Sequence, residues 1–273
     1  MNGEEIERTL AGSGLAAWRY LDSVDSTNSE AFRWLGAGAP ARCLVLADHQ
    51  SAGRGRMGRK WATPAGTALA LSLLLKAPLT QDGATQESTS ALQRLTGLGA
   101  VALAEVLEEK YGLHAQIKWP NDVLVAGNKI AGILVEAHWM GETLEGVVIG
   151  LGVNVLKGAV PPSETLAFPA ASLEDYLLAK TLDRLTLLRN LVDKLLAWLP
   201  RTGTEEFLRT WESRLAWRGE RVQVLQMVDN QDHASTVQGS LTGLDEAGHL
   251  CLLSDSGEMH VVEAGDLSLR LLD

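Results

Sequence analysis

The chain has 273 residues, of which 46% are apolar and 21% charged, and its formal net charge at pH 7 is −10. This composition is typical of a globular protein with a full core, and the acidic balance disfavours non-specific binding to nucleic acid or anionic membranes. No apolar run reaches the roughly 18 residues that span a bilayer, and the N-terminus lacks a signal-peptide pattern. The two cysteines are far apart, which indicates a protein of the reducing cytoplasm, and the six histidines are scattered, which indicates no metal site.

The first part of the chain predicts three strands and two helices. Strands are expected at residues 18–21, 43–47 and 67–75, and the last is apolar on both alternations, as in a strand covered on both faces. A helix is expected to open at residues 26–30, where Thr27 and Glu30 have capping-box spacing, and to end near Leu35. Residues 78–90 predict a loop. Residues 92–112 have apolar side chains at helical spacing and end in a glycine, which predicts a helix that stops there.

The middle of the chain predicts strands joined by tight turns, followed by helices. The expected strands are 116–119, 123–125, 129–138 and 144–155, with turns at 120–122, 126–128 and 140–142, a loop at Pro161-Pro162, and helices at 181–199 and 205–217. From residue 219 short β-like runs (221–225, 235–244, 250–253, 259–263) alternate with turn residues. We therefore expect two domains, 1–218 and 219–273, the second a small β-barrel.

The loop from Gly53 to Trp61 reads Gly-Arg-Gly-Arg-Met-Gly-Arg-Lys-Trp. Glycines allow backbone N–H groups to surround an anion, arginines supply forked donors for carboxylate or phosphate oxygens, and Trp61 offers a flat apolar face. A solvated basic turn or a nucleic-acid patch is the alternative, but a charge patch has no need of three glycines. The loop therefore predicts a site for a nucleotide or another small anion.

Other candidate motifs lie at the ends of predicted strands, and each of them taken alone has both a functional and a structural interpretation. Lys118 precedes a Pro-Asn-Asp turn, where its ammonium could neutralise developing negative charge or lie exposed. Residues 150–154 read Gly-Leu-Gly-Val-Asn, which indicates either close ligand approach or a β-bulge. Ser26-Thr27-Asn28 locally favours a helix cap, and Lys129 could reach the face of Lys118 or be solvated. No nucleophile–base pair is evident, so catalysis by positioning and charge neutralisation fits best.

Together these motifs resemble those of biotin–protein ligases (biotin–acetyl-CoA-carboxylase ligases). The matching set is Ser26-Thr27-Asn28, Gln50 with residues 53–61, Lys118-Trp119-Pro120-Asn121-Asp122, Lys129 to Glu136, and Gly150 to Asn154, with residues 239–245, Gly248 and 265–270 resembling that family's C-terminal domain. The resemblance covers the chain from about Trp18. It implies an α+β fold: a mixed β-sheet catalytic domain, similar to class II aminoacyl-tRNA synthetases, with a small C-terminal SH3-like β-barrel.

The resemblance implies a two-step, ATP-dependent ligase reaction. Biotin and ATP give biotinyl-5′-AMP and pyrophosphate, and a lysine of a biotin carboxyl carrier protein then displaces AMP. Mg²⁺ is implied by ATP, although the sequence offers no dedicated carboxylate cage. A homodimer is among the assemblies that the resemblance allows. Fewer than 20 residues precede the first predicted strand, which leaves no room for the DNA-binding domain of relatives that are also repressors. We therefore expect a cytoplasmic ligase that binds neither nucleic acid nor membrane.

The resemblance also implies roles for individual residues. The biotin-binding set is Ser26, Thr27, Asn28, Gln50, Arg54, Gly55, Arg56, Lys118 and Gly132, and the set for ATP or adenylate is Arg56, Arg59, Trp61, Lys118, Asn121, Asn154 and Arg270. Arg56 and Lys118 would be catalytic: Lys118 at the carboxylate–phosphate junction, and Arg56 in retaining the intermediate. Met57 departs from relatives that carry arginine there, at a cost of one positive charge.

Two alternatives remain open at this point. A lipoate or octanoate ligase or transferase shares the fold, although the glycine–arginine loop and the Lys-Trp-Pro-Asn-Asp turn argue against it. A biotin-sensing transcriptional regulator belongs to another class of function, and the net charge of −10 weighs against DNA binding.

Overall fold

A seven-stranded mixed sheet occupies the larger part of the chain in this computed structural model, which describes residues 1–77, 89–177, 182–227, 234–263 and 267–272. Its strands are β1 (Ala17–Val24), β2 (Arg42–Gln50), β3 (Ala68–Lys76), β4 (Ala115–Lys118), β5 (Asp122–Val125), β6 (Asn128–Met140) and β7 (Thr143–Asn154). They lie in the order β1-β2-β3-β7-β6-β5-β4. Only the β1–β2 pair is parallel among the described pairings. The mixed sheet confirms the α+β, mixed-sheet part of the predicted fold class.

Five α-helices accompany this sheet within the described ranges: α1 (Gly3–Leu10), α2 (Thr27–Gly36), α3 (Thr89–Tyr111), α4 (Arg184–Trp198) and α5 (Glu205–Glu212). Several begin at side-chain caps: Asp183 accepts from the backbone at the start of α4, and Thr204 does so for α5. None of the helices described in the structure is long and apolar enough to cross a membrane.

The central strands are buried on both faces because helices cover both. On β7, Val147, Ile149 and Leu151 belong to the main core with α3 and α4, whereas Val148 packs against Ala31 of α2. Strand alternation therefore places Gly150, Gly152 and Asn154 on the α2 side, in line with Val148. The pairing of β7 with β3 is unbroken from Gly146 to Asn154, so the β-bulge interpretation of residues 150–154 is wrong.

A second, antiparallel sheet lies near the C-terminus. It contains β8 (Arg221–Met227), β9 (Ala234–Leu244), β10 (Leu250–Leu253), β11 (Met259–Val262) and β12 (Leu267–Leu271), in the order β11-β10-β9-β8-β12. No pairing of the edge strands β11 and β12 occurs among the residues described, so the sheet is not a closed barrel there. The turn between β9 and β10 docks on the larger sheet, where Trp119 Nε1 donates to the Gly248 carbonyl at 3.0 Å.

Two elements differ from the sequence-based predictions. No helix was predicted in residues 1–10, but they contain α1, which begins with a capping box between Asn2 and Glu5. Helix α5 ends at Glu212 rather than at residue 217, because residues 214–216 pair with Ile117 at the end of the sheet. The predicted loop at 78–90, the predicted helix start at 181 and the Gly265-Asp266 motif fall wholly or mainly outside the described residues.

Candidate active site

A buried polar cluster forms where α2 begins, on the α2 side of the large sheet. The Thr27 backbone N–H and hydroxyl both donate to Gln50 Oε1, at 2.9 and 3.1 Å, and Ser72 Oγ lies 2.8 Å from Thr27 Oγ1. Gln50 Nε2 in turn donates to Thr63 Oγ1 at 3.0 Å. The capping-box prediction is therefore wrong: the N-cap residue is Ser26, its side chain makes no capping bond, and Thr27 turns toward the sheet.

The Asn28 side chain lies beside this cluster, against Gly150 of β7, and it fits there because that residue has no side chain. A Cβ at Gly150 would lie 2.3 Å from Asn28 Oδ1, so only glycine leaves room for the amide. Asn28 Nδ2 donates to the Leu134 carbonyl at 3.3 Å and to Glu136 Oε2 at 2.7 Å, while Ser72 Oγ approaches Asn28 Oδ1 at 2.5 Å. The amide is thus oriented by three neighbouring strands.

The glycine–arginine loop folds into a tight turn over this face. The Trp61 N–H donates to the Gly53 carbonyl at 2.9 Å, and the Gly55 N–H donates to the Arg59 carbonyl at 2.7 Å. A Cβ at Gly53 would lie 2.4 Å from the Trp61 carbonyl oxygen, which explains that glycine. Met57 adopts φ +57°, a left-handed conformation that costs a non-glycine residue about 1 kcal/mol or more.

Two arginines tie the loop to the body of the protein. Arg54 bonds to both carboxylate oxygens of Glu136, at 2.9 and 3.1 Å, and to Ser29 Oγ at 2.7 Å. Arg56 Nη1 donates to Asn121 Oδ1 at 3.2 Å, and Asn121 Nδ2 in turn donates to the Ile133 carbonyl. The loop therefore bridges α2, β6 and the turn before β5.

Trp61 lies flat against paired glycines of β6 and β7. A Cβ at Gly152 would lie 2.3 Å from Trp61 Nε1, and one at Gly132 would lie 3.3 Å from Trp61 Cζ3. The indole Nε1 is buried and finds no hydrogen-bond partner among the residues that the structure describes. An unsatisfied buried donor costs about 1–3 kcal/mol, so a ring-sized ligand that relieved it would gain that energy.

Lys118, at the end of β4, lies at the centre of a group of cations. Its Nζ is 4.3 Å from the ring centroid of Phe168 and 5.9 Å from that of Trp217. Burial lowers the pKa of the Lys118 ammonium to about 8; the Asp122 carboxylate opposes this shift, and the charges of Lys129, Arg270 and Arg59 add to it. Three further cations thus act on Lys118, and among the described residues that shift its pKa only the Asp122 carboxylate opposes them, which favours an anionic ligand.

Lys129 and Asp122 form an ion pair on the same face, with Lys129 Nζ 2.6 Å from Asp122 Oδ1. Lys129 Nζ also lies 5.4 Å from the Trp61 ring centroid. Lys129 therefore lies on the face of Lys118, and the alternative that the sequence favoured, a solvated lysine, is wrong. Burial raises the pKa of both cysteine thiols, Cys43 and Cys251, so neither is an activated nucleophile.

The remaining residues from the sequence motifs lie around this centre. Asn154 is buried and donates to the Ala171 carbonyl at 3.1 Å, and Arg270 of the C-terminal sheet donates to the Ala167 carbonyl at 3.2 Å. Ser26 is buried at the start of α2. The bonds of Asn154 and Arg270 thus tie both residues to the segment 167–171, which also carries Phe168 beside Lys118.

Sequence reasoning missed several residues of this site. Ser72 is fully buried and joins Thr27 to Asn28, and its signal was a lone polar residue within an apolar strand. Glu136 was noted only as part of a motif, although it bonds to both Asn28 and Arg54. Phe168 carried no sequence signal, because its contact with Lys118 joins residues 50 positions apart in the chain.

This arrangement can hold a small molecule with a polar head, an apolar middle and an acidic end. The Thr27–Gln50 cluster supplies donors and acceptors, the Trp61 indole packed on Gly132 and Gly152 supplies an apolar surface, and Lys118 with its neighbours supplies positive charge. Within the described parts of the chain, no group of three His, Cys, Asp or Glu side chains is placed to hold a metal ion.

Comparisons with known proteins agree with this site. Residues 20–154 match the sequence profile of the biotin/lipoate A/B protein ligase family. The chain is 34% identical to the biotin–[acetyl-CoA-carboxylase] ligase of Mycobacterium tuberculosis, over 98% of this chain and 95% of that protein. It is 33% identical to the enzyme of the same name from Paracoccus denitrificans, over 89% and 97%. The biotin protein ligase of Aquifex aeolicus in complex with biotin and ATP superposes with a TM-score of 0.75 at 26% identity, over 94% of this chain and 100% of that one.

Proposed function

The chain belongs to the biotin/lipoate A/B protein ligase family, and we propose that its site makes biotinyl-5′-AMP from biotin and ATP and transfers biotin to a lysine of a carrier protein. The observation that carries this proposal is the group of cations around Lys118, which contains Arg59, Arg270 and Lys129, the last of them beside the Trp61 ring. Adenylation brings a carboxylate and a triphosphate together, and their repulsion must be offset by such charges.

In the first step, a carboxylate oxygen of biotin attacks the α-phosphorus of ATP, and the bond from that phosphorus to pyrophosphate breaks. Lys118 holds the carboxylate against the α-phosphate and neutralises the charge that develops there. Arg59 and Arg270, whose charges act on Lys118, bind phosphate oxygens. Asn121 and Asn154 border the nucleotide, and Trp61 packs on the adenine ring.

In the second step, a carrier lysine amine attacks the acyl carbon of biotinyl-5′-AMP. The new C–N amide bond forms as the C–O bond to AMP breaks, and the amine releases its proton to solvent. Arg56 retains the adenylate until the carrier arrives, held in place by its bond to Asn121. The loop covers the reactive intermediate and keeps water out.

The biotin pocket in this proposal is the cluster at the start of α2. Thr27 and Gln50 contact the ureido group, which needs both donors and acceptors, with Ser26 and Asn28 beside them. Arg54, Gly55 and Arg56 line the valeryl chain, and Gly132 forms part of the floor. Lys118 meets the carboxylate.

Three further features belong to the same proposal. Mg²⁺ accompanies ATP and is held mainly by phosphates and water, in keeping with a site whose described residues offer no carboxylate set. Residues 1–218 form the catalytic domain, and residues 219–273 form an SH3-like domain. The protein acts in the cytoplasm, where a biotin carboxyl carrier protein is its partner, and a homodimer is compatible with the exposed sheet edges.

Mass spectrometry tests the proposed function directly. A biotin carboxyl carrier domain incubated with this protein, biotin and Mg-ATP is expected to gain the mass of one biotinyl group on lysine. Thermal shifts with biotin and with lipoate, each with ATP, separate the proposal from a lipoate ligase. A thermal shift with lipoate but not with biotin, together with no biotinylation of the carrier domain, would refute the proposed function.

A further inference from the structure

Glu136 is the point at which the pocket and the loop meet. Its carboxylate accepts from Asn28 Nδ2 at 2.7 Å and from Arg54 Nη2 at 2.9 Å, both on Oε2, and Arg54 also reaches Oε1 at 3.1 Å. Asn28 lies 108 positions away in the chain and Arg54 82 positions away. One carboxylate therefore links the start of α2 to the glycine–arginine loop.

The bond from Asn28 fixes which way its amide faces. Both hydrogens on Nδ2 are used, one toward Glu136 and one toward the Leu134 carbonyl, so Oδ1 must face Ser72. Rotating the amide by half a turn would set Nδ2 against the Ser72 hydroxyl and Oδ1 against the Glu136 carboxylate, two acceptors facing each other. Glu136 thereby determines the polar pattern beside Thr27.

The bond from Arg54 fixes the loop on the other side. Arg54 Nη2 donates to both oxygens of Glu136, and Arg54 Nη1 donates to Ser29 Oγ, so two nitrogens of the guanidinium are held in place. The ion pair is partly exposed, with 43% of the Arg54 side chain and 31% of the Glu136 side chain accessible. A pair this exposed contributes little to global stability, so its position between pocket and loop is the more informative feature.

We propose that Glu136 is a positioning residue that makes ordering of the loop and the shape of the biotin pocket depend on each other. The proposal rests on the function proposed above. When Glu136 holds Arg54, the loop lies over the pocket; when it also holds Asn28, the pocket presents the correct polar pattern. If Glu136 loses its bond to Asn28, it holds Arg54 less firmly, and if it loses its bond to Arg54, it holds Asn28 less firmly.

Glu136→Gln tests this with the smallest change of shape. Glutamine keeps an acceptor oxygen that can take the place of Oε2, but its NH₂ then takes the place of Oε1 and faces the Arg54 Nη2 donor, and the negative charge is lost. We expect the KM for biotin and the rate at which biotinyl-5′-AMP escapes without carrier each to rise about tenfold, with the KM for ATP within about twofold of wild type. Asp193→Asn is the control, since it removes an arginine–carboxylate pair of similar exposure on α4.

A double-mutant cycle with Arg54→Met distinguishes positioning from a structural role. We expect the effects of Glu136→Gln and Arg54→Met on biotinyl-5′-AMP escape to be non-additive, because both break the same link. Multiplicative effects, equal rises in both KM values, or kinetics that match Asp193→Asn would overturn the proposal. If Glu136→Gln does not fold, Glu136→Asp keeps the charge but withdraws the carboxylate by one methylene from both donors. A rise in the KM for biotin without a rise in the KM for ATP then supports the proposal, and equal rises overturn it. Absence of biotinyl-5′-AMP formation by the wild-type protein refutes the proposed function itself, before any variant is compared.

Discussion

The lowered pKa of Lys118 predicts how the first half-reaction depends on pH. Burial holds the pKa of this ammonium at about 8 rather than 10.5. About 90% of Lys118 is therefore charged at pH 7 and about 10% at pH 9. If the charge offsets repulsion between carboxylate and phosphate, kcat/KM for adenylation falls about tenfold per pH unit above pH 8. The pKa read from kcat should be higher, because bound anions favour the charged lysine.

Biotin-dependent pyrophosphate release measures this without the carrier, whose own lysine would titrate in the same range. Lys118→Arg provides the control, since arginine stays charged throughout. It should lower the rate at pH 7 and remove the decline above pH 8, while Lys118→Ala should lose adenylation. A wild-type rate that is flat to pH 9.5, or a decline that survives in Lys118→Arg, would refute the role assigned to this charge.

The same pKa makes a prediction about stability. Below pH 8 the folded protein bears the net cost of a partly buried charge, about 3 kcal/mol for a shift from 10.5 to about 8. Lys118→Met should therefore raise the free energy of unfolding at pH 7 by up to about 3 kcal/mol. Between pH 8 and 10.5 the unfolded state binds more protons, so wild-type stability rises and the difference shrinks. Urea unfolding at pH 7 and pH 10 measures it.

Three further substitutions test other parts of the site. Gly152→Ala would place a Cβ 2.3 Å from Trp61 Nε1; we expect it to weaken biotin binding at least about tenfold by calorimetry, whereas Gly36→Ala, which has open space, should bind normally. Arg56→Gly should release biotinyl-5′-AMP about tenfold faster, measured in the filtrate by mass spectrometry, and unchanged release with unchanged ligation would contradict its assignment. Thr27→Val keeps shape but removes a hydroxyl within the polar cluster; we expect a loss of about 1–2 kcal/mol in biotin affinity with ATP affinity unchanged, and a normal biotin titration would argue against contact with the ureido group.

Much of the fold followed from local patterns. Residues 126–128 were predicted as a hairpin turn, and Ala126 and Gly127 both have positive φ, as that turn requires. The apolar run of β3 was predicted to be covered on both faces and is buried there on both. The glycines and arginines of residues 53–61 also pointed to their chemistry, because backbone freedom and forked donors are properties of those residues themselves.

Other structural features could not be predicted from local sequence patterns. Thr27 had the spacing of a helix cap but turns toward Gln50, since a tertiary hydrogen bond competes with the local one. Helix α5 stops early because Ile117 pairs with the residues that follow it. The glycines at 150 and 152 fitted two interpretations equally until the register of β7 placed Asn28 and Trp61 against them.

The sequence by itself thus determined most of the elements and singled out the glycine–arginine loop and the strand-end lysine, because each depends on residues a few positions apart. Tertiary structure alone decided that Lys118 lies under Phe168, that Trp61 rests on paired glycines, and that Glu136 joins Asn28 to Arg54 across 108 and 82 positions. Such contacts depend on the order and register of strands, and a shift of one residue would turn every side chain of a strand to the opposite face.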